Sequence, residues 1–119
     1  MTRPTNLLFL QSDNHNRNVL GCYGHKVVQT PHLDRLAAGG TRFANAYASS
    51  PLCSPSRASI ANGRYPHQTG YWDNGLVYDG RVPSWMQRLR AAGYRTASVG
   101  KLHFRSSEED HGFDEELAP

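Results

Sequence analysis

An α/β fold with a mostly parallel sheet flanked by helices is what the sequence predicts, on three observations. Short apolar runs of strand length alternate with helical stretches. The helical stretches open at Pro and close at Gly, as helix ends do. The first apolar run, Asn6-Leu7-Leu8-Phe9-Leu10, is continuous rather than alternating, which suits a strand buried on both faces.

That run follows Pro4 and ends in the polar cluster Gln11 to Asn18, a loop at the strand's C-terminal edge. Thr30-Pro31 reads as the cap and first residue of a helix, with Leu33, Leu36 and Ala37 on one face and Gly39-Gly40 as its stop. Thr41 to Ala48 sets Phe43, Asn45 and Tyr47 against Ala44, Ala46 and Ala48, which predicts a second strand. A short capped helix follows Cys53. Tyr65 to Arg81, rich in Gly, Asp, Asn and aromatics, reads as a long loop. Pro83 opens a further helix with Trp85, Leu89 and Ala92 spaced for burial, and Gly93 closes it. Tyr94 to Val99 is the third expected strand, and everything after Arg105 is polar.

Composition excludes several classes. The chain has 119 residues, 38% of them hydrophobic, the size of one small domain. The net charge is +3, but the arginines are scattered instead of clustered, which argues for anionic small substrates and against nucleic acid. Two cysteines, Cys22 and Cys53, make neither a disulfide framework nor a zinc pattern. No signal peptide and no membrane-length apolar stretch are evident, so a cytoplasmic protein without a membrane partner is the expectation. Oligomeric state is not legible.

The segment Cys53-Ser54-Pro55-Ser56-Arg57 concentrates the chemistry. Ser54 reads as the helix cap and Pro55 as the first helical residue, with Gly63 as the stop. Cys53 is then expected to face unpaired N–H groups and the positive end of the helix dipole, where a thiolate or an anionic ester is stabilised. Arg57, in the first turn, is expected to aim its guanidinium at the same spot. Asp13 and Asn14 supply a carboxylate and a carbonyl side by side, the donors a hard divalent cation prefers. Taken alone, a plain strand-to-loop turn is the better account of that pair. Lys101 and His103 lie two residues apart, on one side of an extended segment. Because ligands on parallel sheets collect beyond the carboxyl ends of the strands, these three places are expected to converge in one crevice.

Cys53-x-Pro55-x-Arg57, followed by a helix and Gly63-Arg64, resembles the sulfatase family of the alkaline-phosphatase superfamily. The resemblance continues in Gly21-Cys22-Tyr23-Gly24, and in Gly100-Lys101-Leu102-His103-Phe104, Tyr71 to Asn74 and His111-Gly112-Phe113 it looks closest to choline-sulfatase-like members. It implies the N-terminal part of an alkaline-phosphatase-like sandwich, occupying residues 1–119, with the rest of the catalytic domain absent. It implies hydrolysis of a sulfate monoester by formylglycine made from Cys53 by a maturation enzyme. Asp13, Asn14 and position 53 would hold one divalent metal, Ca²⁺ before Mg²⁺ or Mn²⁺, with Asn14 replacing the commoner second Asp. Arg57, Lys101 and His103 would serve the nucleophile and ester. Two alternatives stand beside this: a phosphonate monoester or phosphodiester hydrolase of the same superfamily, and a truncated, non-catalytic chain. A dinucleotide-binding module lacks support, since no Gly-x-Gly-x-x-Gly follows the first apolar run.

Overall fold

Proline and glycine place the helix ends. In the computed structural model, which describes residues 5–117, α1 (Pro31–Gly39) opens on its proline and stops at the Gly39-Gly40 pair. Helix α2 (Cys53–Asn62) ends at Gly63, whose φ of 71° is the left-handed conformation that closes a helix. Helix α3 (Pro66–Thr69) is a single turn inside the stretch read as loop. Helix α4 (Trp85–Ala91) is capped by Ser84: the Gln87 N–H donates to Ser84 Oγ at 3.0 Å and the Ser84 N–H donates to Gln87 Oε1 at 2.8 Å. Pro83 therefore lies just outside the helix it was expected to open.

The chain divides into two units, Met1–Ala46 and Tyr47–Pro119. In the first unit no described residue is buried, and polar contacts hold the turns. Asp34 organises them. Its Oδ1 accepts the Cys22 N–H at 2.6 Å and the Thr30 hydroxyl at 2.9 Å, while Thr30 Oγ1 accepts the Gly21 N–H at 2.8 Å. A Cβ at Gly21 would run into the Asp34 carboxylate, which explains a glycine there. Tyr23 donates its hydroxyl to the Phe43 carbonyl at 2.6 Å, and the Arg42 guanidinium stands 4.8 Å from the Tyr23 ring centre.

The second unit has the core. Ala58 and Ala61 of α2 and Met86 of α4 pack with Tyr71 and Tyr78, flanked by Val82, Trp85, Phe104 and Phe113. Tyr78 is wholly buried, with Tyr71 and Phe104 packed edge-on at 5.7 and 4.9 Å between ring centres. Strands β1 (Ala97–Val99) and β2 (Glu115–Leu117) pair in parallel, Ala97 opposite Glu115 and Val99 opposite Leu117. Thr96 locks their start: its N–H donates to Asp114 Oδ2 at 2.7 Å and its hydroxyl to the Gly112 carbonyl at 2.7 Å. The Thr96 amide holds the Asp114 carboxyl below its ordinary range. Gly112, at φ 101°, passes so close to α4 that a Cβ would meet the Gln87 backbone.

Several expectations need correction. Residues 6–10 are not a strand, and Leu7, Leu8, Phe9 and Leu10 are between 54% and 80% exposed. A continuous apolar run becomes a strand only with a ladder partner, and among the described residues the sheet consists of β1 and β2. Thr41 to Ala48 is likewise irregular, with Phe43 and Tyr47 exposed. Leu33 and Leu36 of α1 are exposed, the buried residue of α4 is Met86, and Ala92 lies exposed just past its end. The residues after Arg105, read only as polar, supply β2. Parallel pairing and the α/β class stand.

Candidate active site

The helix carrying the cysteine starts earlier than its sequence suggests. Cys53 is itself the first helical residue, Ser54 the second and Pro55 the third; the capping position falls on Leu52, which offers no side-chain acceptor. Ser54 is therefore not the cap: its Oγ is buried with no hydrogen-bond partner. The cap comes from elsewhere in the chain, for Asn74 Oδ1 accepts the Ser54 N–H at 3.0 Å. Asp73 shapes the turn that delivers Asn74, accepting the Gly75 and Leu76 N–H groups at 2.7 and 3.1 Å.

This changes the electrostatics expected at Cys53. Within the first turn the Ser54 N–H is taken by Asn74, Pro55 has none, and the Ser56 N–H donates to the Leu52 carbonyl at 3.1 Å. Few backbone donors are left for an anion, so charge stabilisation falls to side chains. Cys53 is half-buried and not in a disulfide.

Arg57 sits one turn beyond Cys53 on α2 and is only 9% exposed. Its Nη1 donates to the carbonyls of Lys101 and Leu102, at 2.6 and 3.2 Å. The guanidinium thus ties the cysteine helix to the Gly100-Lys101-Leu102-His103 segment, 44 residues away in sequence. The expectation was that it points back at position 53; its Nη1 is engaged by these carbonyls.

His103 has a φ of 58°, a left-handed conformation that costs a non-glycine residue roughly 1–3 kcal/mol. Its Nδ1 is buried without a hydrogen-bond partner. Lys101 and His103 line a cavity of about 310 Å³, together with Phe104, Ser106, His111 and Glu116. Sequence reasoning gave no role to His111, which lines this cavity, or to Asp79, which does not. His111 is buried, its Nδ1 3.2 Å from Glu116 Oε1 and its Nε2 3.7 Å from Glu109 Oε2. Asp79, with a side chain 2% exposed, anchors the loop before α4. The sequence signal for His111 was its place in the resembling segment His111-Gly112-Phe113, and for Asp79 there was none.

Asp13 and Asn14 belong to the first unit, whereas Cys53, Arg57, Lys101 and His103 belong to the second. Both Asp13 and Asn14 are exposed, in a turn, and Asn14 has a φ of 57°, which Asn tolerates better than most residues. They do not follow a formed strand. Among the described residues no three His, Cys, Asp or Glu side chains cluster to hold a metal. Two adjacent oxygen donors nevertheless fit as part of a hard cation's ligand set. His67 is exposed and stacks on Tyr65 at 5.7 Å, Tyr71 belongs to the core, and Trp72 is 56% exposed. Among the described residues no helix is long and apolar enough to cross a membrane.

Known proteins match this arrangement in both sequence and shape. An N-acetylglucosamine-6-O-sulfatase of Bacteroides thetaiotaomicron is 41% identical over 113 residues, 95% of this chain and 20% of the relative. A choline-sulfatase of Rhizobium meliloti is 39% identical over 116 residues, 98% of this chain and 23% of the relative. The chain thus spans about a fifth of the length of the curated relatives it matches. A solved complex with D-glucosamine-2-N,6-O-disulfate as its substrate superposes with a TM-score of 0.80 at 40% identity, covering 87% of this chain and 21% of that one. A putative sulfatase of Bacteroides fragilis gives a TM-score of 0.68 at 32% identity, covering 75% and 21%. The fold is therefore that of the alkaline-phosphatase-like enzymes. With the sulfatase family model matching residues 5–118, the chain belongs to the sulfatase family.

Proposed function

We propose that this chain is the N-terminal part of a sulfatase catalytic domain and that the complete protein hydrolyses sulfate monoesters. One observation carries the reading: Arg57, from the helix that begins at Cys53, binds the carbonyls of Lys101 and Leu102. The cysteine motif and the Lys-x-His motif thereby share one anchor, as residues that act on one group must. The relatives' names point to sulfated amino sugars or choline sulfate as the substrate class.

Each side chain has a role in this proposal. Lys101 neutralises charge on the sulfate group, and His103 holds or releases a proton at its unpartnered Nδ1. Arg57 sets the distance between α2 and the Lys101 segment, and Asn74 holds the backbone beside position 53. Asp13 and Asn14 offer oxygens to a hard divalent cation, Ca²⁺ or Mg²⁺ before zinc. Formylglycine at position 53 would supply a hydrated aldehyde as nucleophile, and the cation would act as a Lewis acid.

Mass spectrometry of the tryptic peptide Phe43 to Arg57, from a host that modifies a control sulfatase, reports the state of position 53. Conversion to formylglycine is expected; a wholly intact cysteine overturns the nucleophile assignment. Metal analysis with kinetics on the complete protein checks the rest. Asp13→Ala should lose metal and activity together, whereas Lys101→Ala should keep the metal and turn over more slowly. Preference for phosphonate over sulfate esters would move the activity to the related hydrolases.

A further inference from the structure

Building on that reading, we propose that Asp79, acting through Arg105, is a positioning residue for Lys101 and His103. The segment from Lys101 to Arg105 is gripped at both ends. At its start, Arg57 binds the Lys101 and Leu102 carbonyls. At its end, the Arg105 N–H donates to the Tyr78 carbonyl at 2.9 Å, and Arg105 Nη1 donates to Asp79 Oδ2 at 3.3 Å. Between the two grips, Phe104 packs on Tyr78 and His103 keeps its left-handed backbone. A residue in an unfavourable conformation persists only where its surroundings hold it, and these grips are the surroundings.

Asp79 is the fixed point of the second grip. Its carboxylate accepts the Tyr71 hydroxyl at 2.7 Å, the Arg81 N–H at 3.2 Å and Arg81 Nε at 2.5 Å. A buried carboxylate with this many donors does not move. Arg105 is 56% exposed and has a second acceptor, since its Nε donates to Glu109 Oε1 at 2.6 Å. Without the Asp79 charge, the guanidinium keeps Glu109 alone and the end of the segment loosens. The loss is transmitted to His103 through two peptide units.

Amide hydrogen exchange and steady-state kinetics on the complete protein test this, using Asp79→Asn, Arg105→Gln and the double variant. In each single variant the Arg105 amide should exchange about tenfold faster, with α2 and α4 changed less than about twofold. The double variant should be no worse than the more affected single, because both remove one contact. Turnover of a sulfate ester should fall about tenfold while KM stays within about twofold, as expected for misplaced catalytic groups. An unchanged Arg105 amide in both singles, or local loosening with unchanged kcat, overturns the proposal. If Asp79→Asn loosens the whole unit, Arg105→Gln, at an exposed site, decides by the same criteria. A parent protein that hydrolyses no sulfate ester refutes the sulfatase reading instead, and the exchange data then still decide whether Asp79 holds the segment.

Discussion

The two units of this chain are built on different principles. In Tyr47–Pro119, an aromatic core around Tyr78 carries the structure, and polar groups such as Asp79 and Ser84 are buried with their partners. In Met1–Ala46, no described residue is buried, and Asp34, Thr30 and Tyr23 hold the turns by hydrogen bonds. The apolar side chains of that unit, Leu7 to Leu10 above all, stand in solvent. Hydrogen bonds exposed to water contribute about 1 kcal/mol each at best, whereas burial of one large side chain contributes about 1.5–3 kcal/mol. The second unit is thus expected to be the more stable, and its proposed Lys101 and His103 site rests on the firmer base.

Truncating the core should break the second unit and leave an equivalent change in the first unit silent. Tyr78→Ala removes a wholly buried ring and a 2.6 Å hydrogen bond to the Val82 carbonyl, and should cost roughly 3–5 kcal/mol. Leu8→Ala, at a residue 80% exposed, should stay within roughly 0.5 kcal/mol. Urea unfolding followed by tryptophan fluorescence separates them, since Trp72 and Trp85 both lie in the second unit. Equal costs would show that the apolar run of the first unit is buried in solution.

Glycine substitution sharpens the contrast. Gly112→Ala would place a Cβ against the Gln87 backbone at a φ of 101°, costing roughly 3 kcal/mol. Gly24→Ala, at a φ of 95° but in open space, should cost only about 1 kcal/mol. Similar costs would mean that Gly112 matters for its backbone angle and not for the close approach to α4.

A smaller effect is expected in the first unit. Asp34→Ala frees the Cys22 N–H and the Thr30 hydroxyl, and should cost about 1–2 kcal/mol. Faster exchange of the Cys22 amide, with the tryptophan signal unchanged, is the expected reading.

The smallest effect is a pH dependence confined to the second unit. Burial pushes the Asp79 carboxyl up, but the Tyr71 hydroxyl and the Arg81 amide and guanidinium outweigh it and leave it below its ordinary value. Tyr71, desolvated and bound to Asp79, is pushed up to about 12 and stays a donor. The Arg90 guanidinium likewise holds Asp110 low. For depressed carboxyls the stabilisation is complete above the unfolded value, near pH 4, and is lost as pH falls through the folded value. Tryptophan fluorescence should therefore report weakening of the second unit below about pH 4, and Asp79→Asn should flatten that limb. An unchanged limb would remove Asp79 from the account.

The sequence by itself determined what depends on neighbours a few residues away. The helix stops at Gly39 and Gly63, the Pro31 start, and the Cys53–Arg57 and Lys101–His103 motifs were all legible, because φ preferences and motif spacing are local. Tertiary structure decided what depends on partners brought from a distance. Residues 6–10 read as a strand, yet a strand exists only with a partner in its ladder. The acidic residues of β2 read only as polar, yet they pair with β1 because Thr96 and Asp114 bring the two together. Ser54 read as a cap, yet the helix already begins at Cys53, and Asn74, 20 residues on, accepts the Ser54 N–H. Arg57 read as facing Cys53, and only the fold shows its Nη1 held by two carbonyls 44 and 45 residues away. Side-chain type sets what a group can bind; only the folded chain sets which partner reaches it first.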